Sequence, residues 1–514
     1  MSGNAFAAAL ALLPDYLGQH VVLSASAVLL GSAISLPLAI AASRSRRLGG
    51  PVLAIASIVQ TIPGLALLAL FYPLLLVASN VTVALLGWRI PALGFLPALL
   101  ALTLYSMLPI LRNTVAGLSG IDPAVKTAAR AVGMTSRQSL TMVELPLAAP
   151  VIMAGIRISA VWVIGTATLS TPVGQTSLGN YIFTGLQTEN WAFVLFGCVA
   201  AASLALVVDR LLAIAETGFS RRSRKRLIAA LGGILIVIAA SLYPLVTMDV
   251  AEVTIGAKNF EEQYTLSALL ADRLHKAGFR TARRADLGST VVFRALASGE
   301  IDTYVDYSGT IWANEMHRTD SPGRKPVLMQ VAQWLRTTRG ITALGSLGFE
   351  NAYVLSMRSD RAKTLGIRTL ADLAVYAPNL TIGGDYEFFS RPEWKSMVNS
   401  YGLNFARQRT YQPTFMYRAV RDGDVDVIAA FSTDGRIAQY DLRLLADPKS
   451  ALPPYDAMLL VSGKRAGDVR FLAALKPLIG KINLSAMQQA NLMVDRDKRT
   501  PEEAAHWLAG RIVR

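Results

Sequence analysis

The sequence predicts an α-helical membrane domain followed by a soluble α/β domain of two lobes. Three observations carry this prediction. The chain is 53% hydrophobic yet 17% charged, its long apolar segments are confined to the first half, and strand-like and helical segments alternate after Glu252. A chain of 514 residues exceeds one ordinary domain. The mixture of apolar and charged residues therefore indicates one half in the membrane and one half in water.

About six apolar segments are long enough to cross a bilayer, which takes about 20 residues. We predict spans at residues 20–42, 52–79, 93–111, 147–170, 191–215 and 227–247. Arginine-rich clusters at Arg44–Arg47 and Arg221–Arg226 flank these segments. Because positively charged loops stay in the cytoplasm, we expect the N-terminus and everything after Met248 on the outer side of a bacterial plasma membrane. We expect no Asp, Glu, Lys or Arg deep in a span, which argues against an ion-coupled transporter.

A polar, basic loop at residues 122–146 lies between two of the apolar segments. Gly133 permits a sharp turn there, and a proline marks entry into the next helix. The spacing resembles the coupling loop of permease subunits of ATP-driven (ABC) importers, in which a Glu stands where this chain has Thr127. The alternative is an ordinary amphipathic cytoplasmic loop. The resemblance implies a separate ABC ATPase as partner, contacted by Thr127, Ala128, Ala129, Gly133, Leu145 and Pro146.

The soluble half contains two short sequence patterns that each occur twice, and we call each such repeat an echo. Residues 294–302 and 418–426 each end a helix at Gly and begin a strand at Asp, and each strand ends at an aromatic–Ser pair. A second echo pairs residues 254–260 with residues 381–386. Two similar lobes with largely parallel sheets are therefore expected. Since ligands of open α/β sheets bind at the carboxyl ends of strands, four aromatic side chains should meet in an interlobe cleft, unless they only pack the interface: Phe260, Tyr307, Tyr386 and Phe431.

These patterns predict the domain boundaries. The transmembrane domain takes residues 1–247 and the soluble domain residues 248–514. Within the soluble domain we predict lobe 1 at about 252–350 and 450–514, and lobe 2 at about 354–446.

Four motifs of the soluble half resemble the substrate-binding proteins of osmoprotectant (glycine betaine, carnitine, choline) importers. They are residues 256–263, 306–310, 348–353 and 432–436. The membrane half resembles the permease of the same systems, and a related subgroup of such fusions is associated with ergothioneine. The resemblance implies a type I ABC importer permease of about six helices, joined to a periplasmic-binding-protein-like domain of type II. It also implies a homodimer that binds a small quaternary amine.

A quaternary ammonium cannot donate a hydrogen bond, so proteins recognise it with aromatic faces, at ~2 kcal/mol per ring when desolvated. The resemblance implies a cage of Tyr307, Tyr353 and Phe431, with Lys258 and Thr310 as polar ligands. The carboxylate of a zwitterion needs a donor, for which Lys258, Asn259 and Arg391 are candidates. The full set of predicted substrate-binding residues is Lys258, Asn259, Phe260, Asp306, Tyr307, Ser308, Thr310, Tyr353, Tyr386, Arg391, Phe431 and Ser432.

No phosphate-binding motif of the form Gly-x4-Gly-Lys-Ser/Thr occurs in the sequence. We therefore expect no catalytic site and no cofactor in this chain, with ATP used by the partner. A single cysteine and four histidines argue against a metal site. Three alternatives stay open: an ergothioneine importer of the same architecture, a ligand-gated receptor or channel with a two-lobe sensor, and an amino-acid importer in which Arg391 and Asp434 hold the ligand.

Overall fold

The structure is a computed structural model that describes residues 3–188, 190–247, 252–385 and 387–512. It divides into two compact units, Met1–Phe183 with Ala192–Asp249, and Thr184–Trp191 with Val250–Arg514. The α-helices before residue 248 are Gly3–Arg44 (α1), Arg46–Thr61 (α2), Gly64–Leu86 (α3), Phe95–Ser119 (α4), Pro123–Ala131 (α5), Ser136–Gln138 (α6), Leu145–Ala167 (α7), Gly179–Gln187 (α8), Trp191–Ser220 (α9) and Arg224–Thr247 (α10).

Among the described residues, six helical segments are long and apolar enough to cross a membrane, in agreement with the predicted number. They are Ala9–Arg44, Gly64–Leu86, Phe95–Ser119, Ser136–Val173, Trp191–Ser220 and Arg224–Tyr243. The fourth is continuous because a π-helical stretch, Ser139–Glu144, joins α6 to α7 and a 3₁₀ stretch, Thr168–Val173, extends α7.

The predicted span at residues 52–79 is wrong in its bounds. The chain there forms two helices, since α2 ends at Thr61 and α3 begins at Gly64. Ile62 between them is extended, with φ −72° and ψ 126°. Proline disfavours the helical conformation of the residue before it, so Pro63 explains the break. The first span differs as well, because α1 is one helix from Gly3 to Arg44 and so begins well before the predicted residue 20.

The expectation of no Asp, Glu, Lys or Arg deep in a span is also wrong. Arg157 lies within α7 and forms a bidentate ion pair with Asp209 of α9, with nitrogen–oxygen distances of 2.6 and 2.9 Å. A second carboxylate of α9, Glu216, lies 3.2 Å from the same guanidinium. Charged groups at membrane depth are tolerated when they pair with one another. The three side chains therefore hold α7 and α9 together.

The loop at residues 122–146 folds as two short helices around a turn. Asp122 caps α5 by accepting a hydrogen bond from the Ala124 N–H. Gly133 follows in the left-handed conformation, with φ +82°, which glycine adopts without steric cost. Thr135 and Gln138 then form a capping box for the next helix. Two large apolar side chains on this loop, Val132 and Met142, are 73% and 64% exposed.

The soluble unit contains two five-stranded sheets of matching design. Its strands are Val253–Lys258 (β1), Thr281–Leu287 (β2), Thr303–Tyr307 (β3), Thr342–Glu350 (β4), Tyr353–Arg358 (β5), Thr381–Gly384 (β6), Arg407–Thr410 (β7), Val427–Phe431 (β8), Leu442–Leu444 (β9) and Asp456–Val461 (β10). The first sheet has the order β2-β1-β3-β10-β4 and the second β7-β6-β8-β5-β9. We call the regions around these two sheets lobe 1 and lobe 2.

Helices cover the two sheets. They are Glu261–Lys276 (α11), Ser289–Ser298 (α12), Ser308–Thr310 (α13), Arg324–Trp334 (α14), Ser359–Leu365 (α15), Leu370–Tyr376 (α16), Pro392–Tyr401 (α17), Pro413–Asp422 (α18), Arg436–Gln439 (α19), Val469–Leu475 (α20), Leu484–Asp495 (α21) and Pro501–Ile512 (α22). The fold of this unit is therefore the predicted two-lobed α/β architecture.

The prediction of largely parallel sheets is wrong, because each sheet has two parallel and two antiparallel pairings. Strands joined within one lobe by a helical crossover, such as β1 and β3, run parallel. In contrast, the chain enters β5 and β10 from the other lobe. Each of these strands therefore begins beside the last residues of its neighbour, β8 or β3. This places β5 and β10 antiparallel beside β8 and β3.

The internal echo of the sequence corresponds to one hydrogen-bond pattern repeated in both lobes. The carboxylate of Asp302 accepts from the Thr254 N–H at 2.8 Å, and the carboxylate of Asp426 accepts from the Thr381 N–H at the same distance. The preceding helices both end at a left-handed glycine. These contacts fix β1 to β3 in lobe 1 and β6 to β8 in lobe 2, and β3 and β8 are the strands that end in an aromatic–Ser pair.

Candidate functional site

Four aromatic rings from four strand ends converge between lobe 1 and lobe 2. Tyr353 opens β5 directly opposite Phe431, the last residue of β8, and their ring centroids lie 5.0 Å apart. Phe260 follows β1 and stacks on Phe431 at 5.6 Å with an interplanar angle of 5°. Tyr307 ends β3, with its ring centroid 6.2 Å from that of Phe260. The rings thus form a continuous aromatic surface to which both lobes contribute.

A cavity of about 120 Å³ opens beside these rings. This volume is well below the roughly 300–1,000 Å³ of pockets that bind drug-sized ligands, so the cavity suits a small solute. Its lining residues are Lys258, Asn259, Phe260, Ser289, Tyr307, Thr310, Asn351, Tyr353, Asp385, Glu387, Arg391, Pro413, Phe431 and Tyr455.

Lys258 is buried and already paired. Its Nζ lies 2.5 Å from Oδ1 of Asp306 on the neighbouring strand, and 5.3 Å from the centroid of the Tyr307 ring. Asp306 also accepts hydrogen bonds from the Tyr304 hydroxyl and the Tyr307 N–H. These contacts neutralise a lysine that is only 3% exposed, which a buried ammonium requires.

Arg391 is the second buried cation of the cavity. Its guanidinium donates to Glu393 at 3.0 and 3.2 Å and to Glu387 at 3.1 Å. A longer contact of 3.4 Å reaches Thr310 in lobe 1, and Cζ lies 5.1 Å from the centroid of the Tyr353 ring. The face of Tyr353 is therefore in contact with a cation of the protein itself, which shows that the ring can take part in cation–π attraction.

Asp385 lies between the aromatic surface and the turn that carries Arg391. It accepts hydrogen bonds from the Tyr353 hydroxyl at 3.0 Å and from the N–H groups of Glu387 and Phe388 at 2.8 Å. Burial raises the pKa of Asp385 above its ordinary value, although the backbone donors act in the opposite direction. Burial and the nearby Asp385 carboxylate raise the pKa of Tyr353 as well.

Glu262 connects several elements next to the cavity through hydrogen bonds. It accepts hydrogen bonds from the hydroxyl of Tyr307 at 2.5 Å, from Asn351 at 3.2 Å and from Asn491 at 2.9 Å. Asn351 belongs to the short connection between β4 and β5, where the chain passes from one lobe to the other. Burial raises the pKa of Glu262, while the hydrogen bonds from its neighbours lower it.

The structure brings most of the sequence-predicted binding residues to the cavity. Asp306 contacts Lys258 as described, and the Ser308 hydroxyl donates to the Pro454 carbonyl and accepts from the Asp456 N–H. Ser432 accepts a hydrogen bond from the Ala352 N–H. Tyr386 lies outside the described residues. Contact with a solute stays a prediction for all twelve residues, and eight of them line the cavity: Lys258, Asn259, Phe260, Tyr307, Thr310, Tyr353, Arg391 and Phe431.

Sequence reasoning did not select several lining residues. Tyr455 and Asn351 reach the cavity because the chain crosses between lobes next to them, and no local pattern indicates such a crossing. Asp385 and Glu387 lie in an aromatic and charged stretch that follows the strand β6, so their position after a strand end was the available signal. Within the described residues, no group of three or more His, Cys, Asp or Glu side chains is placed to hold a metal ion.

Two family models match the chain. Residues 251–510 match the substrate-binding domain of ABC-type glycine betaine transport systems, and residues 31–221 match the inner membrane component of binding-protein-dependent transport systems. The first match covers the soluble unit and the second most of the helical unit. Together with the six apolar helices, the second match indicates a multi-pass membrane protein.

Individual relatives agree with these matches. The chain is 26% identical over 471 residues to the ergothioneine transport permease/ergothioneine binding protein EgtU of Helicobacter pylori, covering 88% of this chain and 82% of that protein. It is 40% identical over 209 residues to the choline transport system permease protein OpuBB of Bacillus subtilis, covering 41% of this chain and 89% of that protein.

One similar solved structure, a glycine betaine/carnitine/choline ABC transporter, is 28% identical, with a TM-score of 0.45, and it covers 50% of this chain and 98% of that chain. The family matches rest on both halves of the sequence and agree with the observed fold. The chain therefore belongs to the glycine betaine type of ABC transport systems, and it joins the permease and the substrate-binding domain of such an importer in one polypeptide.

Proposed function

We propose that this chain imports quaternary-amine solutes of the glycine betaine, choline and carnitine class. The observation that carries the proposal is the meeting of Phe260, Tyr307, Tyr353 and Phe431 beside a small cavity between two lobes. The quaternary ammonium head group would lie against these ring faces. A solute that contacts both lobes favours their closed arrangement, and this closure would commit it to transport.

A separate ABC ATPase supplies the energy in this proposal. The loop at residues 122–146 would dock on this partner. It exposes two large apolar side chains, Val132 beside the turn at Gly133 and Met142 in the π-helical stretch Ser139–Glu144, which a partner surface could cover. The chain itself would hold no cofactor, and ATP would be bound by the partner.

The importer would work as a homodimer in the bacterial plasma membrane, with the substrate-binding domain on the outer side. The asymmetric distribution of arginines at Arg44–Arg47 and Arg221–Arg226 supports this orientation. Fusion of the binding domain to the permease makes delivery of the solute intramolecular, which raises its effective concentration at the permease.

A second candidate solute is ergothioneine, which is also a betaine. The observation that favours it is the similarity to EgtU, which extends over 88% of this chain and so includes the fusion itself. The aromatic surface would serve the trimethylated amine of either solute, and the choice depends on what the cavity accepts beyond that group.

Thermal shift of the full-length chain in detergent, measured with each solute in turn, tests the proposal. A ligand that binds only the folded state raises the midpoint by mass action, so glycine betaine, choline, carnitine or ergothioneine should raise it. Amino acids without a quaternary amine should leave it unchanged. No shift with any quaternary amine, or a larger shift with a common amino acid, would contradict the proposal.

The competing class is a ligand-gated receptor or channel with a two-lobe sensor. Such a protein has no use for an ATPase. Co-purification of an ABC ATPase with the full-length chain, together with solute-stimulated ATP hydrolysis by the complex, would therefore exclude it, whereas solute-evoked ion currents in a bilayer without ATPase would favour it.

A further inference from the structure

The charged side chains around the cavity carry an excess of negative charge. Two cations, Lys258 and Arg391, stand against the carboxylates of Asp306, Asp385, Glu387 and Glu393. Three of these carboxylates, those of Asp306, Asp385 and Glu393, are buried. Asp385 and Glu387 line the cavity together with the two cations, and Asp306 and Glu393 lie next to it as ion-pair partners of those cations, so these six groups carry a formal excess of carboxylates.

Both cations are already engaged by buried carboxylates. Lys258 lies 2.5 Å from Asp306. Arg391 pairs with Glu393, which is 1% exposed and also accepts a hydrogen bond from Tyr455. The carboxylate of a zwitterion would therefore share either cation with a carboxylate of the protein, and like charges brought close together repel each other.

Two carboxylates of the cavity wall, those of Asp385 and Glu387, can contact the positive end or a hydrogen-bond donor of a solute. Asp385 is fixed beside the Tyr353 hydroxyl by two backbone N–H groups. The side chain of Glu387 is 46% exposed at the rim, and it accepts a hydrogen bond from Ser289 across the cleft at 3.2 Å. Both groups attract a cation and repel a second carboxylate.

The carboxylates of the cavity wall also have unused hydrogen-bond acceptor sites. Asp385 and Glu387 can each accept further bonds, since an ionised carboxylate has about four acceptor sites. Next to the cavity, one buried oxygen of Glu393, Oε2, has no hydrogen-bond partner among the described residues. A solute that carries a hydroxyl can donate to Asp385 or Glu387, whereas a solute carboxylate cannot.

We propose that the site prefers solutes with a net positive charge and a hydroxyl, such as quaternary ammonium alcohols, over zwitterionic betaines, and that Glu387 at the rim is a residue that sets this preference. This inference rests on the proposed function and deepens it, because both solute types carry the same quaternary ammonium. The ring faces bind the quaternary ammonium that both solute types share. The carboxylates of the protein favour a hydroxyl over a carboxylate in the rest of the solute.

Titration calorimetry on the full-length chain in nanodiscs tests the inference, with choline and glycine betaine as probes at one low ionic strength. Wild type should bind choline more tightly than glycine betaine by about tenfold or more, the scale of one well-placed charge. Glu387→Gln removes one rim carboxylate while keeping the size of the side chain. It should lower the ratio of the two affinities by about threefold or more, mainly by weakening choline.

Asp424→Asn is the matched control. Asp424 is exposed in the turn before β8, at the opposite end of that strand from Phe431, so the same loss of charge there should leave the ratio unchanged. Equal or tighter binding of glycine betaine by wild type, or an unchanged ratio in Glu387→Gln, would overturn the inference and leave the proposed function standing. Failure of wild type to bind choline, glycine betaine, carnitine and ergothioneine would contradict the proposed function, and the inference with it.

Discussion

Tyr353 makes more contacts within the candidate site than any other ring described above. Its ring packs against Phe431 at 5.0 Å and against Phe388 at 5.2 Å, and the guanidinium of Arg391 lies over it. Its hydroxyl donates to Asp385. The residue therefore joins the aromatic surface to the charged rim, and its two parts, ring and hydroxyl, can be tested separately.

Replacing Tyr353 with Leu should weaken binding of quaternary amines by about 30-fold, because a desolvated cation–π contact contributes ~2 kcal/mol. Tyr353→Phe keeps the ring and should cost much less. Tyr376→Leu provides the control, since Tyr376 is exposed at the end of α16. Calorimetry with choline on the full-length chain would measure the effect, and equal affinities for wild type and Tyr353→Leu would show that the ring does not bind the solute.

Asp385 should make the binding of a cation depend on pH. Burial raises the pKa of this carboxyl above its ordinary value, in a setting that also contains Glu387, Arg391 and the Tyr353 hydroxyl. A bound cation favours the ionised carboxylate and lowers that pKa, so binding releases a proton. Affinity for choline should be constant above the pKa of the free protein and should fall as the pH drops below it.

Calorimetry in two buffers of different ionisation enthalpy would measure this proton release directly. Near the raised pKa, the observed binding enthalpy should differ between the buffers. At a pH well above it the difference should vanish. An affinity that rises as the pH is lowered would contradict the assignment of Asp385 to the cation.

Part of the site was predictable because strand ends are visible in the sequence. Phe260, Tyr307 and Phe431 each stand at the end of a strand-like run, and the first echo placed Tyr307 and Phe431 at equivalent positions of the two lobes. The pairing of Lys258 with Asp306 was not predictable, because it depends on β1 and β3 lying side by side. The burial of Arg391 was not predictable for the same reason, since its partners are arranged by the fold.

At the scale of secondary-structure elements, local residue preferences explain the correct predictions. The wrong prediction of strand directions concerns a feature that depends on how strands pair in the folded protein. Glycines at the helix ends and the Asp at the start of each following strand predicted the echo, which both lobes show. The antiparallel strands β5 and β10 were missed, because the direction of a strand depends on which lobe the chain has just left. The break at Ile62 and Pro63 was overlooked because apolar residues continue on both sides of it.

The turn at Gly133 should be essential for contact with the ATPase. Gly133→Val places a β-branched residue at φ +82°, where left-handed backbone costs an L-residue about 1–2 kcal/mol. No atom lies within 4 Å of an added Cβ, so the change should distort the loop without a steric clash. Co-purification of an ABC ATPase with the full-length chain should be strongly reduced.

Gly87→Val is the matched control for this experiment. Gly87 also has a positive φ, +73°, and no atom lies within 4 Å of an added Cβ, but it ends α3 rather than the coupling loop. The Gly87→Val variant should carry the same local backbone strain and should still co-purify with the ATPase. Equal loss of ATPase in both variants, or in neither, would argue against a docking role of the loop.

The ion pair between α7 and α9 should stabilise the helical unit. Arg157→Leu leaves Asp209 and Glu216 without their cation at membrane depth, where an unpaired charge costs roughly 2.5–3.5 kcal/mol. Arg157→Lys keeps the charge but loses the bidentate geometry, so its effect should be intermediate. Thermal unfolding of the helical unit in detergent would measure the order, and a midpoint of Arg157→Leu equal to wild type would contradict it.

At the scale of the whole molecule, one chain combines a domain that recognises a solute with a domain that carries it across a bilayer. The two have different textures, because the helical unit places apolar side chains on its outside and the soluble unit buries a mixed network of carboxylates, amides and rings. In the sequence, the two halves differ in where the long apolar segments lie and in where strand-like and helical segments alternate. What the soluble unit binds depends on the contents of one small cavity, which composition could not indicate.

The central claim is that ring faces from both lobes bind a quaternary ammonium because it is charged, and not because of its shape. The most direct test compares the affinity of the full-length chain for choline and for 3,3-dimethylbutan-1-ol, in which an uncharged carbon replaces the nitrogen. Cation–π attraction predicts that choline binds about tenfold or more tightly than its neutral isostere. Equal affinities for the two, or no binding of either choline or any other quaternary amine, would contradict it.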